Sequence, residues 1–219
     1  MSKVIVAVDG PAGSGKSSVC KEVAKRLNYG YLDTGAAYRA LAWAVLEGQV
    51  EIEKVSVADL IIEFAYAISL DPNNFWVRVG KTDVTSAIRE PRVSELVSSV
   101  AGVSEVRKYM HNLTKSLVNN AEFRGVIVEG RDITTGIFPD AQTRILLTAS
   151  EAVRLERRSK ELPVDISAEE QVINRDKADS KVVDFIRPAR GVKLLDSTNL
   201  TFEETVTAVI NLVQAAKES

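Results

Sequence analysis

The sequence predicts an α/β fold of three layers, in which helices cover both faces of a central parallel sheet. Short apolar runs at 3–8, 126–129, 144–148 and 193–196 have the length and composition of buried strands, and helical patterns separate them. This alternation is typical of parallel sheets, because a helix carries the chain back between parallel strands. A glycine-rich loop follows the first run, at the sheet edge where such folds bind ligands.

The loop after the first strand matches the pattern G-x-x-x-x-G-K-[ST]. A helix with Val19, Val23, Ala24 and Leu27 on one face follows it. The glycines let successive N–H groups point inward, and the positive end of the helix adds anion preference. The sequence therefore predicts a nucleoside triphosphate site. Its loop residues are Gly10, Pro11, Ala12, Gly13, Ser14, Gly15, Lys16 and Ser17.

Two side chains of this loop have expected roles in catalysis. Lys16 is expected to reach the β- and γ-phosphates, and the Ser17 hydroxyl to coordinate Mg²⁺ between them. A second G-K-T sequence begins at Gly80, but Phe75 replaces the opening glycine and no helix pattern follows. We interpret that copy as a hairpin turn.

A second polar corner lies within 31–40, after the short strand that follows the first helix. Asp33 and Thr34 stand beside a predicted helix start near Gly35, and Arg39 supplies a planar guanidinium suited to phosphate oxygens. The alternative is that Arg39 pairs with a nearby carboxylate.

The segment 66–88 then reads as strand, turn, strand, turn, strand, and predicts a small antiparallel sheet inserted in the main domain.

Helical patterns flank this insertion at 57–64, 92–102 and 104–120. We expect the helix that holds Ser98 and Arg107 to bring a hydroxyl and a guanidinium over the ligand crevice. The lone His111 lies mid-helix and is not expected to be a catalytic base.

The strand 126–129 ends in Gly130, Arg131 and Asp132. Because strand ends face the crevice, Arg131 could hold a phosphate and Asp132 could accept hydrogen bonds from a base amino group. The alternative is a salt bridge between the two that caps the strand.

The charged segment 151–190, broken by Pro163, predicts a solvated helical lid. Arg154, Arg157 and Arg158 share one helix face and could stabilise charge during phosphoryl transfer. A second set on the next helix contains Arg175, Asp179 and Lys181. The alternative is a helical hairpin held by ion pairs.

The amino-acid composition limits which ligands and macromolecules the protein is expected to bind. The chain has 219 residues, 45% of them hydrophobic and 26% charged, with a formal net charge of −2. This balance gives no long-range attraction to nucleic acid or to an anionic membrane. A lone Cys20 suits a reducing compartment, and no apolar run is long enough to span a bilayer. We expect a cytoplasmic protein with a small anionic ligand.

Phosphate loops serve both enzymes and switches. The guanine-reading N-K-x-D motif of GTPase switches is missing from the sequence. A small-molecule hydroxyl kinase of the shikimate kinase kind would use Asp33 as its base. A monophosphate acceptor would need no such base, because its phosphate is already largely dianionic at neutral pH.

These residues together resemble bacterial cytidylate kinases. The resemblance rests on 10–18, 31–40, 88–107, 129–132 with 138–141, and 196–198, and it extends over essentially the whole chain. It implies that the protein has a P-loop NTPase fold and is monomeric in solution. It also implies that the protein transfers the γ-phosphate of ATP to CMP or dCMP with Mg²⁺. It also implies a core at 1–38, 112–150 and 191–219, a monophosphate-binding insertion at 39–111, and the lid at 151–190.

The resemblance also assigns site residues. Ser18 joins the ATP loop; Arg39 and Arg131 resemble phosphate-holding residues, and Arg157 and Arg158 resemble lid arginines. Ser98, Arg107 and Asp132 resemble the set that reads cytosine. The remaining residues implied to bind CMP are Asp33, Thr34, Tyr38, Gly130, Arg175 and Asp179. Many members have Asp-x-x-Arg where this chain has Asp179 followed by Lys181, whose ammonium cannot reproduce a bidentate fork.

Overall fold

The computed structural model describes residues 3–48, 56, 64–161, 176 and 187–216. The strands are β1 Val4–Asp9, β2 Gly30–Asp33, β3 Tyr66–Ile68, β4 Val77–Val79, β5 Thr82–Asp83, β6 Gly125–Gly130, β7 Thr143–Thr148 and β8 Lys193–Asp196. The α-helices are α1 Lys16–Leu27, α2 Thr34–Leu46, α3 Pro91–Gly102, α4 Ser104–Asn120, α5 Glu151–Glu161 and α6 Phe202–Ala215. A 3₁₀ turn covers Ala87–Arg89 and a π-helical turn covers Ile133–Ile137.

The central sheet has five strands in the order β2-β6-β1-β7-β8. β1 lies between β6 and β7 and is parallel to both, and β8 is parallel to β7. Strands buried on both faces need a continuous apolar run, and Val6, Ala7 and Val8 of β1 have no exposed surface. The predicted parallel sheet is confirmed.

The register of this sheet determines which loops leave it at the same edge. Asp9, the last residue of β1, pairs with Gly130, the last residue of β6. The loop that begins at Gly10 and the polar residues that begin at Arg131 therefore leave the sheet at the same edge. The packing of α1 against α6 covers part of one face of this layer.

The small sheet contains β3, β4 and β5 in that order, and both pairings are antiparallel. Gly80 and Lys81 form the turn between β4 and β5, so the hairpin interpretation of the second G-K-T sequence is confirmed. Gly80 adopts φ +56°, a conformation that glycine reaches without strain.

By their internal contacts the residues group into two compact units. One contains Met1–Tyr31 and Phe123–Ser219, and the other contains Leu32–Glu122. Within the second unit, α2 packs against α3, and α3 against α4. The expected three-part division into core, insertion and lid stays a prediction.

Most predicted elements are present, with shifts at their ends. One expectation was wrong: Ser98 and Arg107 do not share a helix, because α3 ends at Gly102 and α4 begins at Ser104. Residues 57–63 of the expected first flanking helix, and Pro163 in the lid, lie outside the described residues. Within the described part of the chain, no helix is both long enough and apolar enough to cross a membrane.

Candidate active site

The phosphate loop connects β1 to α1 and leaves the start of α1 open to a ligand. Gly15 is the N-cap residue, and no side chain caps this helix end in the part of the chain described. The first N–H groups of a helix have no partner within the helix, and together with the helix dipole they favour an anion.

Glycine is required in the loop for two structural reasons, backbone conformation and close packing. Gly13 and Gly15 adopt φ +73° and +84°, in the left-handed region that other residues rarely occupy. A Cβ atom on Gly13 would lie 2.6 Å from the Arg154 carbonyl oxygen, so only glycine lets the loop approach α5 this closely. Ser14 is buried, and its hydroxyl has no hydrogen-bond partner among the described residues.

The two catalytic candidates of the loop are both at the start of α1. The Lys16 ammonium donates a hydrogen bond to the Pro11 carbonyl at 3.2 Å, so its side chain folds over the loop. The Ser17 hydroxyl donates to Glu129 at 2.6 Å, and Tyr31 donates to the same carboxylate oxygen at 3.2 Å.

Glu129 is a site residue that our sequence reasoning did not single out. It lies at the end of β6 and is only 3% exposed, although carboxylates are rarely buried without a role. Its contact with Ser17 depends on β6 lying beside β1, which the sequence pattern alone does not specify. The signal available in the sequence was a charged residue inside an otherwise apolar strand.

Arg131 follows β6 and contacts the loop from the side. Its Nη1 donates to the Gly10 carbonyl at 3.0 Å and lies 3.0 Å from Oδ1 of Asp176. Arg131 therefore forms an ion pair with Asp176, a residue distant from it in the sequence. The ends of β1 and β6 lie side by side, since Asp9 pairs with Gly130.

Asp9 fixes the backbone just beyond this point. It accepts hydrogen bonds from the Ile133 N–H, and from both the N–H and the hydroxyl of Thr134. Burial raises the pKa of Asp9 above its ordinary value, while these hydrogen bonds act in the opposite direction. The role of Asp9 is to hold the π-helical turn against the start of the phosphate loop.

Arg154 and Arg157 on α5 contact the loop. Arg157 donates to the Ser14 carbonyl and to both the hydroxyl and the carbonyl of Ser197. Arg154 donates to the Ala12 carbonyl at 2.9 Å and forms an ion pair with Asp176. Arg154 was grouped with the lid arginines in the sequence but was not among the expected site residues, so its position is new. Arg158 lies on the same helix and is half-buried.

A cavity of about 270 Å³ opens beside the loop. Gly13, Ser14 and Gly15 line one side, Val19 and Phe202 supply apolar surface, and Arg157 and Lys160 supply positive charge. The cavity therefore combines apolar walls with positively charged side chains beside the loop.

The second unit contains the corner predicted around Asp33. The Asp33 carboxylate accepts from the Ala36 N–H at 3.0 Å, as the N-cap of α2, and pairs with Arg39 at 2.6 Å. The ion pair that we gave as the alternative for Arg39 is therefore present. Thr34 is buried at the first position of α2, and Tyr38 is half-buried one turn further on.

An aromatic group lies in the same unit. Tyr66 stacks on Phe64 with ring centroids 5.4 Å apart, and its buried hydroxyl has no hydrogen-bond partner in the described structure. Burial raises the pKa of Tyr66 well above its ordinary value, and the negative charge of Asp33 adds to this effect. Tyr66 therefore stays neutral near the Asp33 carboxylate.

The residues expected to read the base lie on α3 and α4. Ser98 is half-buried on α3. Arg107 donates from Nη1 to the carbonyls of Ala101 and Gly102 at 2.8 and 2.9 Å, so it satisfies the last carbonyls of α3. Arg175, Asp179 and Lys181 lie outside the described residues.

Comparison with known proteins agrees with this geometry. The sequence profile described as cytidylate kinase matches residues 6–215. A cytidylate kinase of Streptomyces avermitilis is 40% identical over 215 residues, which cover 96% of this chain and 93% of that protein. A cytidylate kinase of Cutibacterium acnes is 40% identical over 220 residues, covering 97% and 96%.

Among solved structures, a shikimate kinase from Bacteroides thetaiotaomicron superimposes with a TM-score of 0.50 over 99% of each chain. Its sequence identity is only 14%, so this similarity concerns the fold alone. It agrees with the P-loop kinase architecture that the loop and the parallel sheet indicate. The profile match and the two bacterial relatives both extend over nearly the whole sequence, and the chain therefore belongs to the cytidylate kinase family.

Proposed function

We propose that this protein transfers the γ-phosphate of ATP to CMP or dCMP, giving ADP and CDP or dCDP. The observation that carries the proposal is the phosphate loop itself, open at the start of α1 and contacted by arginines from both sides. Family membership supports the identity of the acceptor.

ATP is expected to bind the loop residues from Gly10 to Ser18 through Lys16 and through the backbone N–H groups of the residues other than Pro11. The cavity lined by Val19 and Phe202 would then hold its base, and Arg157 would lie between the base and the phosphates. Phosphoryl transfer places negative charge on phosphate oxygens, so Lys16, Arg131, Arg157 and Arg158 are the proposed groups that stabilise its transition state.

The residues at the start of α1 fit Mg²⁺. This cation prefers oxygen ligands and keeps several waters. The Ser17 hydroxyl is the proposed ligand, and the Glu129 carboxylate, which accepts its hydrogen bond at 2.6 Å, would orient it. When bound with ATP, Mg²⁺ supplies charge neutralisation between phosphate oxygens.

The residues proposed to contact the acceptor nucleotide are those that the family resemblance implies. Arg39 and Arg131 would hold its phosphate, and Ser98, Arg107 and Asp132 would contact the cytosine. Asp33, Thr34, Tyr38, Gly130, Arg175 and Asp179 complete the proposed set. Arg39 must exchange part of its pairing with Asp33 for phosphate oxygens, which a guanidinium with five donors can do.

This chemistry needs little acid–base help. The acceptor phosphate is a dianion near neutral pH and is itself the nucleophile, so alignment and charge stabilisation account for most of the rate. A hydroxyl kinase would instead need Asp33 free to accept a proton. Asp33 already accepts from the Ala36 N–H and pairs with Arg39, which does not favour that alternative.

A coupled assay of ADP release tests the proposal, with CMP, dCMP, UMP, AMP and shikimate as acceptors at equal concentration. We expect turnover with CMP or dCMP at least tenfold above that with AMP and none with shikimate. Turnover with shikimate, or none with either cytidine nucleotide, would contradict it. Omission of Mg²⁺ in the presence of a chelator should abolish the activity.

A further inference from the structure

An aspartate from outside the loop is bound at the phosphate loop. The Oδ1 atom of Asp176 accepts from the Ala12 N–H at 2.9 Å and from Arg131 at 3.0 Å, and its Oδ2 atom pairs with Arg154. The Asp176 side chain is 13% exposed, so these are contacts shielded from water. Both oxygens of the Asp176 carboxylate therefore have a partner.

The three donors are of the kinds that bind phosphate. Backbone N–H groups of a glycine-rich loop and arginine guanidinium groups are the usual partners of phosphate oxygens. A carboxylate is also an anion with paired oxygens, so it fits the same donors. The single Ala12 N–H cannot make a full hydrogen bond to Asp176 and to a phosphate at once. The Asp176 carboxylate and a phosphate that share these donors would also repel each other.

The site also contains donors that a carboxylate does not use. The Nε atom of Arg154 and the hydroxyl of Ser14 are buried without a hydrogen-bond partner in the residues described. Buried donors that stay unpaired carry a desolvation cost. A phosphate group has more oxygens and more charge than a carboxylate, so it could satisfy donors that Asp176 leaves unpaired.

We propose that the Asp176 carboxylate occupies the place of a nucleotide phosphate at the phosphate loop, and that it must leave Ala12, Arg131 and Arg154 before a phosphate binds there. Asp176 is therefore an affinity-determining residue that weakens nucleotide binding by competition. It also keeps two arginines paired when no nucleotide is present, since an unpaired buried guanidinium is costly. This inference rests on the proposed function, because it takes the loop to be a nucleotide phosphate site.

The test measures binding of inorganic tripolyphosphate and of ATP by isothermal titration calorimetry, in wild type and in Asp176→Asn. Asn has the same shape but lacks the charge that pairs with the two arginines. We expect the variant to bind both ligands about tenfold more tightly, which corresponds to about 1.4 kcal/mol. Tripolyphosphate has no base, so a shared effect places the competition at the phosphates.

A matched control separates competition from a general change in charge. Glu156→Gln removes a carboxylate from the exposed side of α5, where Glu156 pairs with Lys160, and changes the net charge by the same amount. We expect its affinity to stay within twofold of wild type. An equal gain in Glu156→Gln and Asp176→Asn would overturn the proposal.

Affinity in Asp176→Asn that is unchanged or weaker than in wild type would overturn it as well, because the carboxylate would then help to hold the arginines for the nucleotide. If wild type binds neither ATP nor tripolyphosphate, the proposed function itself fails. Asp176→Ala is the second variant, used if circular dichroism shows that Asp176→Asn is unfolded, and the same tighter binding is expected.

Discussion

Lys16 is the residue on which the proposed transfer depends most directly. Its ammonium contacts the Pro11 carbonyl, and the residue is half-buried at the start of α1 rather than in the core. We expect Lys16→Ala to lower kcat to less than a tenth of wild type, which corresponds to about 1.4 kcal/mol or more, because the charge is needed mainly in the transition state.

The measurement is steady-state kinetics together with thermal unfolding. The melting temperature of Lys16→Ala should stay close to that of wild type. Lys25→Ala, which removes an exposed lysine from the last turn of the same helix, is the control and should keep full activity. Activity in Lys16→Ala above a tenth of wild type would show that the assigned role is wrong.

Asp132 carries the prediction about base choice. A carboxylate accepts from the cytosine amino group, but it faces a carbonyl when UMP is bound, so one hydrogen bond becomes a repulsion. An unmade buried hydrogen bond costs about 1–3 kcal/mol, and kcat/KM for UMP should be at least tenfold below that for CMP. Asp132→Asn should narrow the ratio, because its amide can donate to the uracil carbonyl.

Four values of kcat/KM, for two acceptors and two proteins, decide this prediction. A ratio of CMP to UMP that is the same in both proteins would remove Asp132 from the base-reading set. Discrimination would then be assigned to Ser98 and Arg107.

At the scale of the element, the start of α6 has a complete capping box. The Thr201 hydroxyl accepts from the Glu204 N–H, and the Glu204 carboxylate accepts from the Thr201 N–H and hydroxyl. α6 packs against α1, so the cap supports the helix that backs the phosphate loop. We expect Thr201→Ala to lower the free energy of unfolding by about 1 kcal/mol.

Chemical denaturation of both proteins measures this difference. Thr207→Ala makes the same chemical change at an exposed position further along α6 and is the control. A loss in Thr201→Ala no larger than that in Thr207→Ala would contradict the assigned cap.

The same cap predicts a dependence on pH. Hydrogen bonds from the Thr201 N–H and hydroxyl lower the pKa of Glu204 below its ordinary value. A group with a lowered pKa in the folded protein stabilises it above the ordinary pKa, and the contribution is lost as the pH falls through the lowered value. The stability difference between wild type and Glu204→Gln should therefore shrink in acid. A difference that stays constant down to pH 2 would exclude this contribution.

At the scale of the whole molecule, binding of a nucleotide to the folded state stabilises the chain. With ligand at about one hundred times its Kd the gain is about 2.7 kcal/mol. For a chain of this size that gain raises Tm by roughly 5–10 °C. A non-hydrolysable ATP analogue with Mg²⁺ should give such a shift in differential scanning fluorimetry. Absence of a shift would contradict binding of the nucleotide to the folded chain.

Comparison of the predicted elements with the observed ones shows which features of a fold a local sequence pattern can predict. Apolar runs and the G-x-x-x-x-G-K-[ST] motif are local signals, and both predicted their structures, from the strand β1 to the left-handed glycines of the loop. The hairpin at Gly80 was equally local. The expectation of one helix for Ser98 and Arg107 failed because α3 ends at Gly102 and α4 begins at Ser104, a division that the separate helical patterns at 92–102 and 104–120 had already indicated.

The sequence by itself determined the parallel sheet, the phosphate loop, the hairpin insertion and the family of this protein, because each is recognised from short apolar runs and motifs that can be identified without knowing how they pack. Only the tertiary structure decided which distant side chains share the loop. Glu129 reaches Ser17 through the pairing of β6 with β1, and Asp176 reaches Ala12 across 164 positions of sequence. Such contacts depend on strand order and helix packing, which no periodicity encodes, since a charged side chain has the same local pattern whether it lies in solvent or binds a loop.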